Sequence, residues 1–215
     1  VINWERHGKN MLEHINSNGI SDARIRPSNF AFYLNNGITW SRIGSGKISL
    51  RYIPKGCFFD CNSPSIFSAN YSIESIMAIL NSKVSISLLE ILAPTLTFQI
   101  ADIKKIPLPE EKVNKPIIQQ NIAISKSDWD AHETSWDFQR NELLSIDKDT
   151  YMENINYEIE KHFEETGEHI CIDLAAPQLD SLAWRIEQYK KKWEHKFKQL
   201  HKNEEELNRQ FIDIY

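Results

Sequence analysis

The chain has 215 residues, of which 41% are hydrophobic, enough to bury a proper core. Its net charge of −5 hides a division: residues 1–109 carry 11 Lys/Arg against 7 Asp/Glu, and residues 110–215 carry 14 against 23, so the total excludes no partner by itself. The sequence holds no apolar run of about 18 residues and no secretory n-region, and its three cysteines (Cys57, Cys61, Cys171) are too few and odd for a disulfide framework, which fits a reducing cytoplasm.

Val1 to Ile20 reads as a first strand or helix around Ile2 and Trp4, then a helix-like run from Asn10 to Asn16 closed by Asn18-Gly19. Ser21 to Asn29 is a loop bearing Arg24 and Arg26 and stiffened by Pro27. From Asn36 to Phe67 apolar and polar residues alternate in short runs, punctuated by Asn35-Asn36-Gly37, Gly44-Ser45-Gly46 and Pro54-Lys55-Gly56. The pattern predicts a β-meander over 32–34, 38–43, 47–53 and 57–60. Ile48, Leu50 and Tyr52 would share one face, with Ser49, Arg51 and Ile53 on the other. Asn62-Ser63-Pro64-Ser65 turns the chain, and Ile66-Phe67 reads as the end of a short strand.

Ser72 then opens one amphipathic helix to about Leu92, stopped by Pro94. Thr95 to Ile100 returns to strand character, Asp102 caps a single helical turn, and Ile106-Pro107-Leu108-Pro109 leaves extended. Residues 110–148 have no sustained period and read as an extended strap or linker, with Ile117 to Ser125 extended and Trp129, Trp136 and Phe138 as apolar anchors. Thr150 to Glu165 predicts a helix ending near Gly167. After Pro177 the stripe Leu179, Leu182, Ile186, Tyr189, Trp193, Phe197, Leu200 predicts a helix of about 22 residues, roughly 33 Å long. Asn203 with Glu206 reads as a capping box opening another helix through Leu207, Phe211 and Ile214. The expected class is α+β: a β-meander domain with a packed amphipathic helix (1–109), the strap (110–148) and a helical extension (149–215). A first residue other than Met and the terminal apolar group Phe211, Ile212, Ile214, Tyr215 suggest a segment of a larger protein.

Between Asp22 and Asp60 lie six basic residues (Arg24, Arg26, Arg42, Lys47, Arg51, Lys55) and no acid, interleaved with aromatic residues. Cations beside flat rings suit a polyanion with stackable bases; equally, the rings are core and the cations solvate the outer face. Arg42, Lys47, Arg51 and Lys55 are placed to reach phosphates, which sets affinity and register. Arg24, Arg26, Arg42 and Asn62 are candidates for base edges, where a bidentate Arg reads guanine and a carboxamide reads adenine. Trp40 is either a stacking wedge or core. Catalytic chemistry is not legible. No Gly-rich loop opens a helix to hold S-adenosylmethionine, and no NPPY-type turn waits for a flipped adenine; Asn62-Ser63-Pro64-Ser65 lacks the second proline and the aromatic. Asp102 with Glu110-Glu111-Lys112 matches a nuclease metal pattern only faintly. The Cys57/Cys61 pair lacks the further ligands a zinc site takes.

The string Gly37 to Asp60, GITWSRIGSGKISLRYIPKGCFFD, resembles the region after the catalytic domain in PglX-like adenine-specific DNA methyltransferases of BREX phage-defence systems and related type IIG restriction–modification enzymes. Leu80 to Pro109, Asn121 to Phe138 and Asn203 to Tyr215 agree with the same family in the same order. The resemblance implies a target-recognition domain that binds double-stranded DNA beside an upstream methyltransferase domain of the same chain. That domain holds the catalytic residues and S-adenosylmethionine, so this segment has no cofactor of its own. Ser45 joins the expected DNA contacts because it stands where the family carries a serine-rich loop, although Gly44 and Gly46 depart from that pattern. The alternative is a non-catalytic assembly module whose C-terminal helices dock on other defence-system subunits.

Overall fold

A computed structural model describes residues 4–18, 29–44, 46–60, 62–68, 70–95, 97–109, 113–172 and 181–215. Among these residues it holds seven α-helices and three short strands, an α+β chain as expected. The chain divides into two compact units, Val1–Ile73 with Thr95–Ile100, and Glu74–Pro94 with Ala101–Tyr215. No single described helix is long and apolar enough to cross a membrane.

In the first unit, α1 (Glu5–Ser17) has left-handed backbone at Arg6, His7 and Gly8, so its regular part starts close to the expected Asn10. The sheet is smaller than the expected meander and ordered differently. β1 (Gly37–Thr39) lies between β2 (Arg51–Ile53) and β3 (Ser65–Ile66), antiparallel to both. Residues Phe30–Phe32 form a 3₁₀ turn instead of a strand, and Leu34 turns the chain with φ 64°. Residues 57–60 join no strand; the third place in the sheet goes to Ser65–Ile66. Gly37 permits this. A Cβ there would meet the Ile66 carbonyl oxygen at 2.7 Å and the Phe67 ring at 2.8 Å, so any larger residue would hold β3 away.

The predicted alternation holds only to Leu50. Ile48 and Leu50 are buried, but Tyr52 is 38% exposed and Ile53 takes the buried place, a one-residue slip of phase as pairing begins. Among the described residues of 95–100 one bridge forms, Ile43 to Thr97, where a strand was expected. The core holds Ile38, Trp40, Ile48, Leu50, Ile53 and Phe98. Beside it, rings pack on one another in a chain: Trp4 edge-on to Tyr33 and Phe58, Tyr33 edge-on to Phe59, Phe59 against Phe67, and Phe67 stacked on Phe32.

The second unit is helical. The single helix expected from Ser72 is two, α2 (Ile73–Leu80) and α3 (Lys83–Leu92), bent by 65°. Ser82 causes the break: its hydroxyl accepts from the Ser85 N–H as an N-cap, and Asn208 accepts from the Lys83 N–H at 2.8 Å. Asp102 lies inside the short α4 (Ile100–Ile103) and pairs with Lys105, so it does not cap.

The strap holds a helix, α5 (Lys115–Asp130), where Ile117 to Ser125 was expected extended. Its isoleucines look strand-like, but Asn114 caps it, a proline sits in its first turn, and Ile118 enters a core with Ile79, Val113, Leu207 and Phe211. Trp129 and Trp136 are not anchors: the first is 59% exposed and the second fully so. After a 3₁₀ turn (Glu142–Ser145), α6 (Lys148–Thr166) ends as expected at Gly167, whose φ of 74° makes the left-handed C-cap. The last 33 described helical residues form one helix, α7 (Leu182–Ile214), where two were expected. Asn203 is buried in its middle and donates to Gln120 and Asn121 of α5 at 2.8 Å each, so it caps nothing.

Candidate nucleic-acid interface

The site expected from sequence lies in the first unit, and segment 37–43 organises it. On one side β1 pairs with β2, Thr39 opposite Arg51 and Ile38 opposite Tyr52. On the other it pairs with β3, Ile38 opposite Ile66 and Thr39 opposite Ser65. One sheet face therefore carries the polar row Arg51, Thr39, Ser65, and the other carries Tyr52, Ile38, Ile66.

The pairing continues past the strands. Trp40 N–H donates to the Pro64 carbonyl and Arg42 N–H to the Asn62 carbonyl, each at 3.3 Å, in the register set by Ile38 and Ile66. Two local facts strip these pairs of their return bonds. Pro64 has no N–H, and the Asn62 N–H goes to the Asp60 carboxylate at 2.9 Å. The Arg42 carbonyl meanwhile accepts from Phe98 N–H at 2.9 Å, so the backbone at Arg42 is tied on both sides.

Trp40 does not act as a stacking wedge. It is 1% exposed and its indole N–H donates to the Phe98 carbonyl at 3.0 Å, which ties segment 95–100 to the sheet. Arg42, Lys47, Arg51, Lys55 and Asn62 are all exposed. Arg51 stands on the edge strand, Lys55 in the turn after it, and Arg42 towards the other end of the central segment. Register puts five residue steps between Arg42 and Gly37, the partner of Ile53, or about 16 Å of sheet at about 3.3 Å per residue. Among the described residues no carboxylate pairs with Arg42, Arg51 or Lys55. Arg24, Arg26, Ser45 and Cys61 lie outside the described residues, as do Glu110, Glu111 and Lys112.

Sequence reasoning missed Asp60. Its carboxylate takes the Ser63 hydroxyl at 2.8 Å, the Asn62 N–H, and the Ser63 N–H at 3.0 Å. The Ser63 hydroxyl and then the Asn62 N–H hold its carboxyl below the ordinary aspartate range. This is an Asx turn, and Asp60-Cys61-Asn62-Ser63-Pro64 carries its visible signature. The aromatic residues, by contrast, are largely spent on each other, and nothing in their spacing shows that.

Among the described residues Gly44 and Gly46 have no atom within 4 Å of where a Cβ would stand and the next helix begins at Ile73, so this glycine pair does not open a helix as a Gly-rich S-adenosylmethionine loop would. Among the described residues no three His, Cys, Asp or Glu side chains converge as a metal site needs.

No family model matches the sequence. Two curated proteins do. "Adenine-specific methyltransferase PglX" of Lacticaseibacillus casei (strain Zhang) is 33% identical over 220 residues, covering 100% of this chain and 16% of the relative. "Adenine-specific methyltransferase BrxX" of Escherichia coli O9:H4 (strain HS) is 33% identical over 147 residues, covering 67% of this chain and 12% of the relative. The chain thus spans less than a fifth of the length of either.

Proposed function

We propose, from the premise that the chain is homologous over its whole length to one segment of the BREX-type adenine-specific methyltransferase PglX, and over two thirds of it to BrxX, that it is the DNA sequence-recognition portion of such an enzyme. The parent protein methylates adenine N6 at a specific word for phage defence or restriction–modification. Its methyl donor, S-adenosylmethionine, is held by another part of the parent; among the described residues Gly44 and Gly46 open no helix. The work of this segment is to grip duplex DNA while the catalytic portion extracts its base.

The carrying observation is the set of exposed cations Arg42, Arg51 and Lys55 on the sheet and the turn that follows it, none paired with a described carboxylate. Arg51 lies opposite Thr39, three residue steps or about 10 Å of sheet from Arg42, and on the sheet's other face. The test is the salt dependence of DNA binding by the complete enzyme. Replacing Arg51 and Lys55 by Glu should weaken binding evenly across sequences and flatten the plot of log affinity against log salt by about one per lost contact. An unchanged slope would refute this reading.

A second reading rests on α7. Leu182 and Phe197 are 65% and 67% exposed on its outer side, which supports an assembly module docking on other defence subunits. That reading expects lost complex formation with DNA binding intact when both are changed to Ser.

A further inference from the structure

We infer that Arg42 and Asn62 act as one base-reading pair, directed at a guanine and a neighbouring adenine in the major groove; the inference rests on the DNA-recognition reading above. The register that matches Ile38 to Ile66 and Thr39 to Ser65 brings Arg42 opposite Asn62, joined by the Arg42 N–H to Asn62 carbonyl bond. Directly opposed residues of an antiparallel pair have Cα atoms about 4.5–5.5 Å apart with side chains on the same face. Ile38 and Trp40, which precede Arg42 on that face, are buried, as is Pro64 opposite Trp40. The row comes to the surface at Arg42 and Asn62, both exposed. A guanidinium and a carboxamide thus stand on one face where the paired segments 40–42 and 62–64 come to the surface, offering a bidentate fork and an amide to base edges of the major groove.

Both positions are stiff. Arg42 is bonded through its N–H to Asn62 and through its carbonyl to Phe98, and Phe98 is fixed in turn by the Trp40 indole. Asn62 is held by the Asp60 turn, in which the carboxylate accepts from the Asn62 and Ser63 N–H groups and from the Ser63 hydroxyl. A primary amide has N–H donors and an acceptor oxygen, and it is the Asn62 backbone N–H that serves Asp60. Such a donor and acceptor match adenine N7 and N6, as the guanidinium fork matches guanine N7 and O6. Base pairs stack at 3.4 Å, so side chains rooted about 4.5–5.5 Å apart address adjacent pairs. Arg51 and Lys55 lack any such supporting turn or opposed amide, and their register suits phosphates.

The test uses the complete enzyme in cells, reading the word around modified adenines, with affinity measured on matched and single-mismatch duplexes. Arg42→Lys keeps the charge and loses the fork; it should preserve the salt slope while admitting other bases at one position of the word. Asn62→Ala should relax an adjacent position, and Asn62→Ser, which keeps a short polar side chain on the turn, should relax the same one. Discrimination at each position should fall roughly 5- to 150-fold. An unchanged word in both variants overturns the pair, as does an even loss of affinity on every duplex. The two failures separate: a flattened salt slope in the Arg51 and Lys55 double variant with an unrelaxed word refutes only the base-reading pair, whereas no change in that slope refutes DNA recognition itself.

Discussion

Asp60 shows how one carboxylate shapes the surface. It is exposed, yet its three acceptor bonds close the turn that sets Asn62 beside Arg42. Its carboxyl titrates below the ordinary aspartate range in the folded chain, so its contribution is fully present above the unfolded value and is lost as pH falls through the folded one. Asp60→Ala should therefore lower thermal stability near neutral pH, with the gap to the unmodified chain closing as the solution is acidified through the carboxylate range. Equal gaps at neutral and strongly acid pH would refute that role. Trp40 illustrates a limit of sequence reading. An indole among cations is compatible with stacking on a base or with a core, and only its burial and its bond to Phe98 separate the two.

Among the elements, α5 and α7 decide the second unit together. Asn203, in the middle of α7, is 5% exposed and bonds Gln120, Asn121 and Gln199. A buried polar node of this sort is costly when broken, because its partners lose their bonds while staying partly out of water. Asn203→Ala should cost about 1–3 kcal/mol in chemical denaturation, and a cost near zero would mean that Gln120 and Asn121 are satisfied by solvent. The same residue misleads at the sequence level. Asn203 with Glu206 has the form of a capping box, and a cap is what an isolated chain would make of it. In the folded chain its amide is taken by α5, and α7 runs on, about 50 Å in all. α5 reverses the error: its strand-like isoleucines become helical because Ile118 finds Leu207 and Phe211 to pack on. α6 was legible to within two residues at its start and at its Gly167 end, since Asp147 and Gly167 are local start and stop signals that need no partner.

Across the whole molecule, charge is handled in two ways. In the second unit many cations have a carboxylate within ion-pairing distance, among them Lys126 with Asp130 and Asp137, Lys192 with Glu142, and Lys198 with Glu194. In the first unit Arg42, Arg51 and Lys55 pair with no described acid. Cations already neutralised by neighbours release few counterions to a polyanion, whereas unpaired ones release more. Lys198→Glu should accordingly leave the salt slope of DNA binding by the complete enzyme unchanged, and a flattening equal to that of the Arg51 and Lys55 variants would place the contact surface elsewhere. The amino-acid sequence by itself determined the α+β class, the helix over α6, the basic first half and acidic second half, and the likeness to adenine-specific methyltransferases, because each follows from local pattern or from residue identity in order. Only the tertiary structure decided the β2-β1-β3 order, the burial of Trp40, the continuity of α7 and the pairing of Arg42 with Asn62. These depend on which distant residue takes up an N–H, a carbonyl or an apolar face, and a linear pattern does not specify that choice.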